Sequence, residues 1–153
     1  MLSLYERFSF VVSVINRQIQ KIERDEMIKY GYKGAFAQYL MAMRHHPEGI
    51  TAAQLSEICD KDKAAVSRVI SEMTEKGLVV RRCTNDTLYR AKITLTEEGH
   101  KIAEFIATRA SAAVDAVGNE LNDEERKMFY ATLNFIASKL QVISKEGIPQ
   151  EHK

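Results

Sequence analysis

A chain of 153 residues, 45% hydrophobic and 28% charged, has the balance of a globular protein and is long enough for one domain or two small fused ones. No apolar run approaches the ~20 residues needed to span a bilayer, and the first residues lack the basic, apolar, small-residue layout of a secretory signal. The net charge of +1 alone says nothing about nucleic acid; two cysteines, Cys59 and Cys83, with no pairing pattern fit a reducing, cytoplasmic setting.

Leu4, Phe8, Val11, Val12, Ile15, Ile19 and Ile22 recur at helical spacing and predict one long amphipathic helix over about 3–29. Gly31 and Gly34 punctuate it. A second helix, about Lys33 to His46, would carry Phe36, Tyr39, Leu40 and Met43 inward, before a turn at Pro47-Glu48-Gly49. Thr51-Ala52-Ala53-Gln54 then offers a capping box for a short helix, about Ala52 to Cys59, with Leu55 and Ile58 pointing inward.

Asp60-Lys61-Asp62 breaks the apolar pattern and supplies two candidate caps for a helix from about Asp62 to Lys76, which Gly77 stops. Val66, Val69, Ile70 and Met73 make its core face. Lys63, Ser67, Ser71 and Thr74 share another face, flanked by Ala64 and Arg68. Small and hydroxylated side chains with cations beside them suit a helix that enters a major groove: the backbone approaches, hydroxyls bond base edges and cations pair with phosphates.

After Gly77 the period turns from helical to alternating. Leu78 to Thr84 and Tyr89 to Leu95 bracket the turn-rich Asn85-Asp86-Thr87-Leu88, which predicts a two-stranded hairpin. Tyr89, Ala91, Ile93 and Leu95 share one face of the returning strand. Arg90, Lys92 and Thr94 share the other, with Arg81 and Arg82 on the outgoing strand. Thr96 can cap the next helix, whose first turn carries acids.

Beyond Gly99, a stripe of Ile102, Phe105, Ile106, Ala110, Ala113, Val114 and Val117 predicts a long helix. Asn122-Asp123-Glu124-Glu125 caps a last one running to about Lys145, with Phe129, Leu133, Ile136, Leu140 and Ile143 on one side. These apolar stripes are wider than one such chain covers easily. An intramolecular three-helix bundle is one solution; a two-fold dimer is the sharper one, with Leu4, Phe8, Val11, Ile15, Ile19, Phe129, Leu133, Ile136 and Leu140 in its interface.

Charge is unevenly spread. From Lys61 to Lys92 there are eight Lys or Arg against four acids, a local +4 that leaves −3 for the remainder. A basic patch that coincides with a helix-turn-helix is the electrostatic footprint of a DNA binder. A winged-helix adaptor that contacts protein instead would not concentrate cations there. No nucleophile elbow, phosphate-binding glycine loop, paired cysteines or His-Glu zinc motif points to an enzyme, and no cofactor is expected. Neighbouring histidines such as His45 and His46 diverge by about 100° on a helix, so with His100 alone farther on, no metal site is expected.

The order helix, helix-turn-helix, Glu75-Lys76-Gly77-Leu78-Val79, basic wing, Leu95-Thr96-Glu97-Glu98-Gly99 and two long helices resembles the MarR family of bacterial transcription regulators. The resemblance covers about Leu4 to Lys145 and is most specific at the Gly77 stop and the Leu-Thr-x-x-Gly closure. It implies a mainly α winged helix-turn-helix fold with a small β-hairpin. Residues 1–32 and 96–146 would form a helical dimerisation region, 33–95 the DNA-binding unit, and 147–153 a flexible tail.

The same resemblance implies a homodimeric repressor on palindromic double-stranded DNA, released by a small-molecule effector. The DNA-contacting set is then Lys61, Lys63, Ala64, Ser67, Arg68, Ser71, Arg81, Arg82, Asp86, Arg90 and Lys92. Family wings carry an Asp and an Arg two apart at the tip, with the Arg in the minor groove. Here Asp86 and Arg90 are four apart and Tyr89 stands where the Arg belongs, so which wing residue enters the minor groove stays open. Tyr5, Phe8, Phe36, Tyr39, Met41, Met43 and Arg44 could line an effector cleft, where similar proteins take aromatic or phenolic compounds; at helical spacing the same set also reads as plain core. Oxidation-sensing members hold a reactive cysteine in the first helix, and this first helix has none. Cys59 then reads as a small buried hydrophobe and Cys83 as an inert strand residue.

Overall fold

The computed structural model describes residues 1–82 and 91–150. Its elements are α1 (Leu4–Lys29), α2 (Phe36–Arg44), α3 (Ala52–Cys59), α4 (Lys63–Glu75), β1 (Val79–Arg82), β2 (Lys92–Leu95), α5 (Glu97–Gly118) and α6 (Asp123–Glu146). Two compact units result, Met1–Ala112 and Ala113–Lys153, with the boundary inside α5. The fold is mostly helical with one antiparallel hairpin, as the sequence periods predict.

In the first unit, Ser3 opens α1 with a capping box: its hydroxyl accepts the Glu6 N–H at 3.1 Å, and the Glu6 carboxylate accepts the Ser3 N–H at 2.7 Å. Only Glu26 and Met27 of α1 are buried. They meet a core built from α2 (Phe36, Tyr39, Leu40, Met43), Ile50, Leu55 of α3, α4 (Val66, Ile70, Met73), the hairpin and the first turns of α5 (Ile102, Ile106). The stripe at the start of α1 stays exposed, Leu4 at 82% and Val11 at 52%.

Two expectations need correction. The second helix is shorter than Lys33 to His46, because its ends are tight turns rather than α-helix. At one end the Phe36 and Ala37 N–H groups donate to the Lys33 and Gly34 carbonyls, and at the other the His46 N–H donates to the Met43 carbonyl, all of them i to i+3 bonds. Ile58 does not point inward; it is 52% exposed. Three residues of α-helix turn through about 300°, so a helix of two turns that buries Leu55 leaves Ile58 about 60° off the core direction.

The hairpin pairs Val79 with Leu95, Val80 with Thr94, Arg81 with Ile93 and Arg82 with Lys92. The described strands are Val79–Arg82 and Lys92–Leu95; the part of the expected hairpin over 83–90 lies outside the described residues. Alternation places Ala91, Ile93 and Leu95 inside, and a bridge outside the named strands joins the wing to the chain before α3: Ile50 and Ile93 exchange both backbone hydrogen bonds, at 3.0 and 2.8 Å.

In the second unit, Asn122 caps α6 reciprocally with Glu125, both bonds at 2.9 Å. The Arg126 guanidinium donates to the Gly118 and Leu121 carbonyls, satisfying acceptors that the end of α5 and the turn leave open. No residue of α6 is buried, and Phe129, Leu133 and Leu140 stand 42–51% exposed. No helix among the described residues is long and apolar enough to cross a membrane.

Candidate nucleic-acid interface

The turn between α3 and α4 is fixed by local chemistry. Thr51 opens α3 through its capping box with Gln54. Asp60 closes it in the left-handed region at φ 50°, a conformation that aspartate tolerates better than most side chains. The Lys61 N–H then reaches back to the Ser56 carbonyl at 3.1 Å, and the Ser56 hydroxyl donates to the Lys61 carbonyl. One residue on, the Asp62 carboxylate accepts the Ala65 N–H at 2.7 Å and starts α4.

Helix α4 buries Val66, Ile70 and Met73, with Val69 partly buried beside them. That anchoring decides what faces out. Lys63, Ala64, Ser67, Arg68, Ser71 and Thr74 are all exposed, a small and hydroxylated surface with cations at its N-terminal end. Lys61 in the turn, Lys76 past the helix end, Arg81 and Arg82 on β1 and Lys92 on β2 are exposed too. Asp86, Arg90, Cys83 and Tyr89 lie outside the described residues.

None of these cations forms an ion pair among the described residues. Elsewhere the pattern differs. Lys33 is bound to Glu72 at 2.5 Å, Arg44 to Glu104, and Arg109 to Glu26 at 3.3 Å. Glu72 thus spends its charge on the chain ahead of α2, leaving the cations of the hairpin and of the start of α4 without an ion-pair partner among the described residues. A surface of unpaired cations on a helix and its adjacent hairpin has the chemistry to bind a polyanion.

Behind α4, one threonine joins three elements. The Thr96 hydroxyl donates to the Gly77 carbonyl at 2.6 Å and accepts the Gly99 N–H at 3.1 Å, while the Thr96 N–H donates to the Leu78 carbonyl at 3.0 Å. The end of α4, the foot of the hairpin and the first turn of α5 are therefore locked together. The sequence predicts Thr96 as a helix cap; its bond to Gly77 is a tertiary fact, foreshadowed only by the Leu-Thr-x-x-Gly spacing.

The residues suggested for an effector cleft divide between the core and the surface. Phe36, Tyr39 and Met43 are core, 1–2% exposed, whereas Tyr5 is 74% exposed at the start of α1 and Arg44 is tied to Glu104. Burial pushes the Tyr39 hydroxyl pKa up. Met41 alone of the set lines a cleft of about 580 Å³ between α1, α2 and the end of α3, together with Glu23, Gln20 and Gln38. The sequence held a signal for it: Asn16, Gln20 and Glu23 recur at i, i+4 and i+7 on α1, a polar stripe beside the apolar one. Cys59 lines the same cleft, and burial raises its thiol pKa, with Lys61 opposing, so at neutral pH it is a poor nucleophile. No cluster of three or more metal-binding side chains occurs among the described residues.

Comparison with known proteins bears on this surface. The model of the MarR family matches residues 30–87, which include α2, α3, α4 and β1. Comparison with curated proteins finds no match. Among solved structures, the chain is similar to a MarR transcriptional regulator from Methanosarcina mazei Go1, at 22% identity over 90% of this chain and 99% of that one, with a TM-score of 0.76. It is also similar to a MarR-family regulator from Rhodococcus sp. RHA1, at 22% identity, 90% and 98% coverage and a TM-score of 0.66. The third is MepR of Staphylococcus aureus in complex with DNA, at 19% identity, 87% and 97% coverage and a TM-score of 0.66. The stretch 30–87 is thus similar to the MarR family, and the likeness to these solved structures shows that the chain shares their fold.

Proposed function

We propose that the protein is a homodimeric transcriptional repressor that reads a palindromic operator through α4 and the β1–β2 wing. The observation that carries this reading is the set of exposed cations on α4, its preceding turn and the hairpin, none of them in an ion pair among the described residues, beside the small side chains Ala64, Ser67 and Ser71. Lys63, Ala64 and Ser67 lie at the N-terminal end of α4, the end that meets base edges in helix-turn-helix proteins. Lys61, Arg68, Ser71, Arg81, Arg82 and Lys92 would hold phosphates; Asp86 and Arg90, which belong to the same proposed set, lie outside the described residues.

The second copy is supported by apolar surface left open. Leu4, Phe8, Val11 and Ile15 on α1, and Phe129, Leu133 and Leu140 on α6, are all at least 39% exposed, and Ile19 and Ile136 are partly so. Contiguous apolar faces of this kind are rare on soluble monomers. In this reading 1–32 and 96–146 pair with their symmetry mates, and 33–95 forms each reading head. A small molecule bound where reading head and long helices meet would alter the spacing of the heads and release the DNA.

Selection of binding sites from a random pool of duplexes tests the whole reading. Enrichment of an inverted repeat with half-sites about one helical turn apart is the expected result. Absence of enrichment, or enrichment of a single asymmetric site, would overturn it.

A further inference from the structure

Glu23 lines both the 580 Å³ cleft and a smaller adjoining void of about 30 Å³, and Gln20 and Gln38 line both with it. Glu23 is thus common to the lining of both cavities. Among the described residues it makes no hydrogen bond and no ion pair, and burial raises its pKa, with Arg24 opposing. The other acids in this part of α1 are engaged: Asp25 with Lys21, and Glu26 with Lys29 and Arg109. A partly desolvated carboxylate without a partner is costly, and burial of such a group is normally matched by an opposite charge.

We propose that this cleft is a binding site for an amphipathic organic cation whose protonated amine, amidinium or quaternary nitrogen sits at Glu23. Gln20 and Gln38 offer carboxamide oxygens to its N–H donors. Ile19, Met41 and Ile58 offer an apolar wall to its body, and Met adapts to varied shapes. The volume falls within the ~300–1,000 Å³ of small-molecule sites. The remaining charged or titratable side chains on the cleft besides Cys59 are His45, Asp60 and Lys61. Asp60 and Lys61 belong to the turn that starts α4, so an occupant touches the segment that sets the reading helix. Only this regulatory consequence rests on the DNA-binding reading; the site itself does not.

The test uses the full chain and thioflavin T, a fluorescent aromatic monocation, without DNA. Saturable binding is expected to weaken at least tenfold in Glu23→Gln, a change that removes charge from a group without partners. It is expected to weaken similarly in Ile58→Lys, which places a like charge on an exposed position of the cleft, and to change less than twofold in Lys101→Ala, which removes an exposed cation outside the cleft. Thermal melts confirm that the variants are folded. Unchanged binding in Glu23→Gln or Ile58→Lys would overturn the proposal. So would an aromatic anion, anilinonaphthalene sulfonate, displacing the dye while depending on Lys61. With the selected operator, the dye is expected to weaken DNA binding of the wild type and not of Glu23→Gln. A chain that binds the dye through Glu23 yet selects no DNA would sink the DNA-binding reading and leave the cation site standing.

Discussion

The first turn of α5 lies so close to the wing that a β-carbon on Gly99 would stand 2.1 Å from the Leu78 carbonyl oxygen. No side chain fits there without moving backbone. Gly99→Ala is therefore expected to push α5 off the end of α4 and to lower stability by about 1–3 kcal/mol, the usual cost of overpacking. Urea unfolding measures it, and a loss below a few tenths would show that the contact relaxes freely.

Thr96 holds the same junction by hydrogen bonds. Thr96→Val keeps the shape and removes the hydroxyl that bonds Gly77 and Gly99, so a loss of roughly 0.5–2 kcal/mol is expected, as for other capping residues. Thr96→Ser should restore most of it. Equal stability of the valine and serine variants would mean that the hydroxyl contributes nothing.

Base reading and phosphate attraction separate by experiment. Lys63→Ala and Ser67→Ala are each expected to cost roughly 1–3 kcal/mol on the operator and to flatten its preference over scrambled duplex. Arg68→Ala, Arg82→Ala or Arg90→Ala should weaken both duplexes alike and reduce the salt slope by about 1. Competition titrations at fixed salt decide it. If Arg90 changes the ratio while Lys63 and Ser67 do not, the wing reads sequence and α4 does not.

Dimerisation is expected to depend on the open faces of α1 and α6. Ile15→Asp and Phe129→Asp place charges on positions 49% and 47% exposed in the single chain. Sedimentation at micromolar concentration should show a dimer for the wild type and a shift to monomer for the variants. A monomeric wild type would remove the two-half-site mechanism.

Glu26 gives a pH dependence with a definite sign. Its hydrogen bond from Lys29, opposed by burial and aided by Arg109, holds its carboxyl below the usual carboxylate range. A depressed folded-state pKa contributes stability that is present above the unfolded value of about 4.3 and is lost as pH falls through the folded one. Glu26→Gln should therefore lower the melting temperature at pH 7 and converge with the wild type near pH 3. A difference that persists undiminished in acid would assign the effect to packing.

Local signals in the sequence were enough for α3 and α4. The capping box at Thr51, the Asp62 cap and the Gly77 stop act within a few residues, and the structure begins and ends these helices at or next to those positions. The exposed face of α4 follows from them, because burying Val66, Ile70 and Met73 leaves Lys63, Ser67 and Ser71 no other direction. Ile58 could not be placed the same way: at the end of a two-turn helix its direction depends on what packs opposite, which periodicity does not contain. The Thr96–Gly77 bond, the Gly99–Leu78 approach and the Ile50–Ile93 bridge join residues 19 or more apart in sequence. Phe36, Tyr39 and Met43 carried the pattern of either a core or a cleft, and only the packing of α3, α4 and the hairpin around them made them core. Glu23 is of the same kind: that it has no hydrogen bond or ion pair among the described residues depends on how α1, α2 and α3 pack around it.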